Sequence, residues 1–298
     1  MYYLTGFTDE AADSLEEQIR VVRELGWQHL ELRAVEGTNV HDLPEEQFDE
    51  VRKTIEDSEI SVSCLGSNLA NWGTSIETPF EETEAILRRT IDRAKLLKVP
   101  LVRIMSYAIR QDEQGNILED QMESERFKRL RIICEKLLEH GLTPVHENCF
   151  NYGGMSWKHT LLLLEEVPGM KLAYDTGNPA LLLDYAKPES REYQDPWEFY
   201  QKVKDKIEYV HIKDAKIDPK TGEELYYFPG KGAGKVKEIV KDLLAGGYEG
   251  GFSMEPHMAV VYHDSSVSAG REERIANFLE YGRRFELLLE EVGHPYKK

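Results

Sequence analysis

Thr143-Pro-Val-His-Glu-Asn-Cys149, Trp157-Lys-His-Thr-Leu-Leu-Leu-Leu-Glu165 and Lys171-Leu-Ala-Tyr-Asp-Thr-Gly-Asn178 follow one another as strand, helix and strand. The first and third are short apolar runs, bounded by turn-forming residues and too short to be helices. The middle piece is amphipathic at helical spacing. Each strand ends in a side chain able to grip a divalent metal, Glu147 and Asp175. Two runs downstream have the same form: Tyr209-Val-His-Ile-Lys-Asp214 carries His211, and Phe252-Ser-Met-Glu-Pro-His257 carries Glu255. Each gap between these four residues has room for a loop, a helix and another loop. Four parallel strands can therefore present all four side chains at one end.

The same alternation extends to the first half. Tyr2–Phe7, His29–Arg33, Ser61–Leu65 and Leu101–Tyr107 read as strands, and amphipathic stretches follow them at Ser14–Leu25, Pro44–Asp57, Phe80–Leu97 and Glu123–Glu139. Pro196–Lys204, Val236–Leu244 and Arg271–Glu290 complete the helices. Eight alternations in 298 residues, with no Pro/Ser/Gly-rich linker to divide them, predict a single α/β domain over 1–298, a (β/α)₈ TIM barrel. A doubly wound open sheet is the rival. It would carry a glycine-rich turn after the first strand, and Gly6-Phe-Thr-Asp-Glu10 is not one. Active sites of barrels lie at the carboxyl ends of the strands, where the four ligand-type residues fall.

Composition limits the partners. Asp and Glu number 55 against 37 Lys and Arg, a formal charge of −18, and no basic block stands out. Nucleic acid and anionic membranes, which recruit basic surfaces, are disfavoured. No apolar stretch is long enough to span a bilayer. The opening Met1-Tyr-Tyr-Leu-Thr-Gly6 lacks the charge and apolar core of a secretory signal, and the 3 cysteines (Cys64, Cys134, Cys149) are scattered. Both features point to a reducing, cytoplasmic location. Homo-oligomerisation is left open.

Taken singly, an acid at a strand end is a helix cap or a solvated loop residue, and a histidine in an apolar run is a core residue. Four ligand-type residues at equivalent places in four consecutive units are harder to assign to caps. Two glutamates, an aspartate and a histidine form a mixed oxygen and nitrogen set, suited to one Mn²⁺, Mg²⁺, Co²⁺ or Zn²⁺ ion.

These motifs, with Leu30-Glu-Leu-Arg33 and Ser63-Cys-Leu-Gly-Ser67, resemble the xylose isomerase-like barrel superfamily. More narrowly they resemble its sugar phosphate isomerase/epimerase group. The resemblance covers nearly the whole chain and is specific for the superfamily, not for a substrate. It implies that Glu147, Asp175, His211 and Glu255 are metal ligands and that Glu147 and Glu255 double as the acid–base pair. A proton would leave the carbon beside a carbonyl and return elsewhere through an enediolate, on a small-molecule carbohydrate substrate. A metal-dependent lyase or dehydratase, acting on a related keto-sugar or keto-glycoside, is the first alternative. A sugar-binding barrel without catalysis is the second, and retention of both glutamates argues against it.

Neighbours of the ligands are candidates for substrate contacts: Asn178, Lys213, Asp214 and His257, with Arg33 either binding a substrate anion or pairing with Glu31 or Glu36. His146 and Asn148 flank Glu147, and strand alternation turns His146 towards the helices. Relatives with a second metal or a catalytic histidine show a histidine where this chain has Asn178, and the run Ser63–Trp72 contains none. A one-ion, small-molecule site is expected. Pro229-Gly-Lys-Gly-Ala-Gly-Lys235 lacks the spacing of a phosphate-binding P-loop and reads as a flexible loop, with Lys231 and Lys235 as anchors for an anionic substrate. The segment Met258–Val267, with His263 and Asp264, reads as a lid or a plain connection.

Overall fold

The structure is a computed structural model that describes residues 1–261 and 264–297. Strands β1 (Tyr3–Gly6), β2 (His29–Leu32), β3 (Ser61–Gly66), β4 (Leu101–Ile104), β5 (Thr143–Glu147), β6 (Lys171–Asp175), β7 (Ile207–Ile212) and β8 (Gly251–Met254) form one sheet. Its order is β1-β8-β7-β6-β5-β4-β3-β2, with every neighbouring pair parallel. A parallel bridge from Phe7 to Glu31 joins β1 to β2 and closes the ring. The protein is therefore a (β/α)₈ barrel.

A helix follows each strand: α1 (Leu15–Leu25), α2 (Glu45–Ser58), α3 (Phe80–Leu96), α4 (Glu123–Glu139), α5 (Trp157–Glu166), α6 (Pro196–Val203), α7 (Val236–Ala245) and α8 (Arg271–Glu291). Local chemistry starts several of them. The Ser156 hydroxyl accepts the His159 N–H at α5, and the Asp195 carboxylate accepts those of Trp197 and Glu198 at α6, where Pro196 needs no amide partner. Among the described residues no helix is long and apolar enough to cross a membrane.

Alternation sorts each strand into two faces. Residues facing the helices, such as Val210, Phe252 and Tyr174, join the large sheet–helix core. A separate small cluster of Cys64, Leu101, Val145, Ala173 and Tyr209 fills the barrel axis. Glu147, Asp175 and His211 lie two residues beyond Val145, Ala173 and Tyr209, so they share that inward face one layer higher. The apolar plug forms the floor of the site.

Two strands end two or more residues earlier than the sequence suggests. β4 stops at Ile104 instead of running to Tyr107, whose φ of 65° is incompatible with extended pairing. β5 stops at Glu147, because the Asn151 side-chain amide donates to the Glu147 carbonyl at 2.9 Å and turns the chain into a short 3₁₀ helix. In the segment read as a lid, Val260–Val261 and Asp264–Ser268 pair antiparallel, and His263 lies outside the described residues.

Candidate metal centre

Glu147 and Asp175 are the last residues of β5 and β6, His211 is the fifth residue of β7, and Glu255 directly follows β8. All four are buried, and one ligand atom from each lies within 4.8 Å of the others. His211 Nδ1 is 3.5 Å from Glu147 Oε1 and 3.4 Å from Glu255 Oε2. Donors around a single ion at about 2.0–2.2 Å stand roughly 3.0–3.5 Å apart, so this spacing suits a shared cation. A second observation agrees. His211 Nδ1 and Glu255 Oε2 are buried atoms without a hydrogen-bond partner, a costly state for polar groups unless a cation satisfies them, and Asp175 Oδ2, also without one, has the Lys213 ammonium at 3.1 Å.

The other atom of each candidate ligand is fixed by the chain. Asp175 Oδ1 accepts the N–H groups of Gly177 and Asn178 at 2.8 and 2.7 Å. Arg103 Nη1 donates to Glu147 Oε2 at 2.9 Å. Glu31 sits on the far side of the histidine: its carboxylate oxygens are 3.3 and 3.2 Å from His211 Nε2, and Oε2 also accepts the Ser253 hydroxyl at 2.6 Å. A carboxylate behind a ligand histidine orients the ring and strengthens its donation.

The electrostatics follow from these partners. Burial would push Glu147 up, but the Arg103 guanidinium and His211 hold its carboxyl well below the usual range. Burial acts likewise on Glu255, and Lys213 and His257 outweigh it to give about 2. Asp175 is raised to about 7, because burial exceeds the pull of Lys213. His211 is raised well above its ordinary value: burial alone would lower it, and Glu31 and Glu147 more than offset that.

Above the ligands lies a cavity of about 370 Å³ lined by Glu147, Glu255, Arg33, Asn178, Lys213 and His257, among others. Lys213 Nζ lies 3.1 Å from Asp175 Oδ2, 3.2 Å from Glu255 Oε1 and 3.3 Å from Asn178 Oδ1. The Asn178 side-chain amide nitrogen is buried without a hydrogen-bond partner. Glu10 holds His257 at two points, accepting its N–H at Oε2 at 2.9 Å with Nδ1 3.0 Å from Oε1, while Nε2 lies 3.5 Å from Glu255 Oε1. Arg33 lines the cavity, and its partners there are Asp9, bidentate at 2.8 and 3.0 Å, and Glu10 at 3.5 Å. These two acids follow β1 in a short 3₁₀ turn.

Five sequence candidates lie elsewhere. Asp214 turns away from the cavity: its carboxylate accepts the N–H groups of Gly232 and Gly234, both at 2.9 Å. It secures the glycine-rich loop, in which Lys231 and Lys235 are exposed and do not line the cavity. His146 faces the helices, with Nε2 3.0 Å from Ser106 Oγ, while Asn148 bridges β5 to β6 by bonding both backbone groups of Asp175. Conversely, Arg103, Asp9 and Glu10 were not singled out from sequence, and Glu31 was named only as a partner for Arg33. Leu30-Glu-Leu32 and Val102-Arg-Ile104 did contain the signal: a charged residue flanked by apolar ones inside a strand must face the barrel axis.

Phe7 ties these groups together. Its ring lies 4.1 Å from the Arg33 guanidinium carbon, 5.1 Å from that of Arg103 and 5.0 Å from the His211 ring. Gly66 leaves room for it, since a β-carbon there would meet Phe7 Cε1 at 2.8 Å and Arg33 Cβ at 2.9 Å.

A parallel barrel with a carboxylate–histidine cluster at the carboxyl ends of its strands defines the class. Residues 19–279 match the xylose isomerase-like TIM barrel family, and the chain belongs to it. The inosose dehydratase of Geobacillus thermodenitrificans is 25% identical over 254 residues, covering 74% of this chain and 75% of that protein. Among solved structures, an IOLI protein with a bound zinc atom superposes with a TM-score of 0.69 at 15% identity, covering 97% and 99% of the two chains. L-ribulose 3-epimerase superposes with a TM-score of 0.65 at 18% identity, covering 98% and 96%.

Proposed function

We propose that the protein is a divalent-metal enzyme that moves a proton on the carbon beside the carbonyl of a small sugar or keto-sugar, as an isomerase or epimerase. One observation carries this reading: Glu147 and Glu255 both line the cavity, and each directs an oxygen to within 3.5 Å of His211 Nδ1. Glu147, Asp175, His211 and Glu255 would hold the ion, which when bound supplies Lewis acidity to a carbonyl oxygen. Arg103 keeps Glu147 ionised, so this carboxylate is ready to accept a proton. Glu255, between Lys213 and His257, is the second carboxylate, and return of the proton by one glutamate after removal by the other inverts or relocates the centre. Asn178 and Lys213 offer donors to hydroxyl or enediolate oxygens, and Arg33 and His257 form the wall beside them.

A second reading, dehydration, is favoured by the relationship to inosose dehydratase. The same deprotonation would precede loss of a β-hydroxyl, with His257, steadied by Glu10, as the polar neighbour of the leaving group. The experiment is incubation of the Mn²⁺-loaded protein with a panel of ketoses and cyclic polyol ketones in D₂O. Deuterium entering beside the carbonyl without loss of water supports the isomerase or epimerase, and an unsaturated product supports the dehydratase. Absence of both across the panel would overturn the assignment, as would full exchange by Glu147→Gln and Glu255→Gln.

A further inference from the structure

We infer that the cavity selects an uncharged polyhydroxylated carbonyl compound, without phosphate or carboxylate; this rests on the proposed function and narrows it. Three lysine or arginine side chains line the cavity among the described residues, and the chain supplies each with its own anion. Arg33 meets Asp9 in a bidentate pair, Arg103 meets Glu147, and Lys213 lies between Asp175 and Glu255. The carboxylates of Glu31, Glu147, Asp175 and Glu255 balance Lys213, Arg103 and one divalent ion, so the loaded site has no surplus positive charge. A substrate anion would have to break one of these buried pairs and leave a carboxylate unpaired.

The phosphate-binding alternative is blocked by the fold. In many barrels the loop after the seventh strand offers backbone N–H groups to a phosphate. Here the Asp214 carboxylate already occupies that cradle, accepting from Gly232 and Gly234. The fit is close enough that a β-carbon on Gly232 would fall 2.4 Å from Asp214 Oδ1. Lys231 and Lys235 point outward. The segment 261–268, whose side chains are not described, contains no lysine or arginine. Among the described residues the rest of the wall is uncharged, as at Asn68, Met105, Phe150 and Trp72, apart from His257, whose ring faces Glu10 at 3.0 Å. Trp72 is 41% exposed, a large apolar face left at the mouth, where the C–H face of a sugar or cyclitol ring can lie.

The test is calorimetric titration of the full Mn²⁺-loaded chain with matched pairs: D-fructose and D-fructose 6-phosphate, a cyclic polyol ketone and a cyclic hydroxyketone bearing a carboxylate. The neutral member of each pair is expected to bind at least about tenfold more tightly. Trp72→Ala should weaken the neutral members while leaving Mn²⁺ affinity unchanged. Equal or tighter binding of a charged member, or no binding by either neutral compound, overturns the inference. The two readings fail separately. Tight neutral binding without solvent deuterium exchange removes the catalytic reading alone, and turnover of a more tightly bound charged compound removes only this one.

Discussion

Replacing Glu31 with glutamine tests whether His211 is a metal ligand supported from behind. The glutamate is fully buried, with both oxygens within 3.3 Å of His211 Nε2. Glutamine preserves shape and one acceptor but removes the charge. A charge-assisted hydrogen bond contributes about 1.5–3 kcal/mol and a neutral one about 0.5–1.5, so roughly 1–1.5 kcal/mol of support for the imidazole is lost. That corresponds to about tenfold in metal affinity, the lower end of what such partners contribute. A second effect has the opposite sign. Without the ion, Glu31 helps hold the His211 proton, and that proton competes with the metal. Glu31→Gln weakens the competition, so its loss of affinity is greatest at high pH and shrinks as pH falls. Calorimetry with Mn²⁺ or Zn²⁺ at several pH values, in buffers of different ionisation enthalpy, reads affinity and proton release together. Equal affinity and equal proton release for variant and wild type near pH 8 would refute the reasoning.

Metal binding by the wild type should itself release protons near neutrality. His211, raised well above its ordinary value, holds a proton that an ion would have to displace, and Asp175, raised to about 7, is partly protonated near neutrality. Raising the pH removes those protons first, so the apparent association constant rises, by about tenfold per pH unit for each proton released; a flat profile between about pH 6 and 8 excludes this. Gly66→Ala should lower the midpoint of thermal unfolding by an amount equivalent to about 1–3 kcal/mol, because its β-carbon collides with Phe7 and the Arg33 stem. An unchanged melt would show that Phe7 can move without disturbing the arginines it contacts.

The fold was legible because the two periodicities hold along nearly the whole chain. Helix α4 begins and ends at the residues read from sequence, Glu123 and Glu139, and β6 at Lys171 and Asp175. Errors concentrate at strand ends. β4 contains Leu101–Ile104 only, because the chain after it bends away to a left-handed Tyr107, which no periodicity reveals. The four clustered residues were legible because each interrupts an apolar run at the same point of its unit. Their supports were harder to find. Asp9 and Glu10 reach Arg33 and His257 from a turn after β1, and a contact spanning 247 residues leaves no local mark. Asp214 shows the converse: sequence proximity to His211 suggested a part in the site, but its neighbouring backbone turns and the carboxylate caps a loop instead.

The charged supports also explain how the barrel can hold its cluster before any ion binds. Three carboxylates at the top of an apolar plug repel one another in a medium that screens them weakly. Arg103 and Lys213 answer that repulsion from inside the same ring of strands, while Phe7 holds the arginine over the floor. The solution has a consequence for metal affinity. Lys213 Nζ lies 3.1 Å from Asp175 Oδ2, one of the oxygens left without a hydrogen-bond partner, so an arriving ion and the ammonium share that carboxylate. Lys213 is therefore expected to steady the cluster without an ion and, if Asp175 ligates one, to weaken the hold on it through the same contacts.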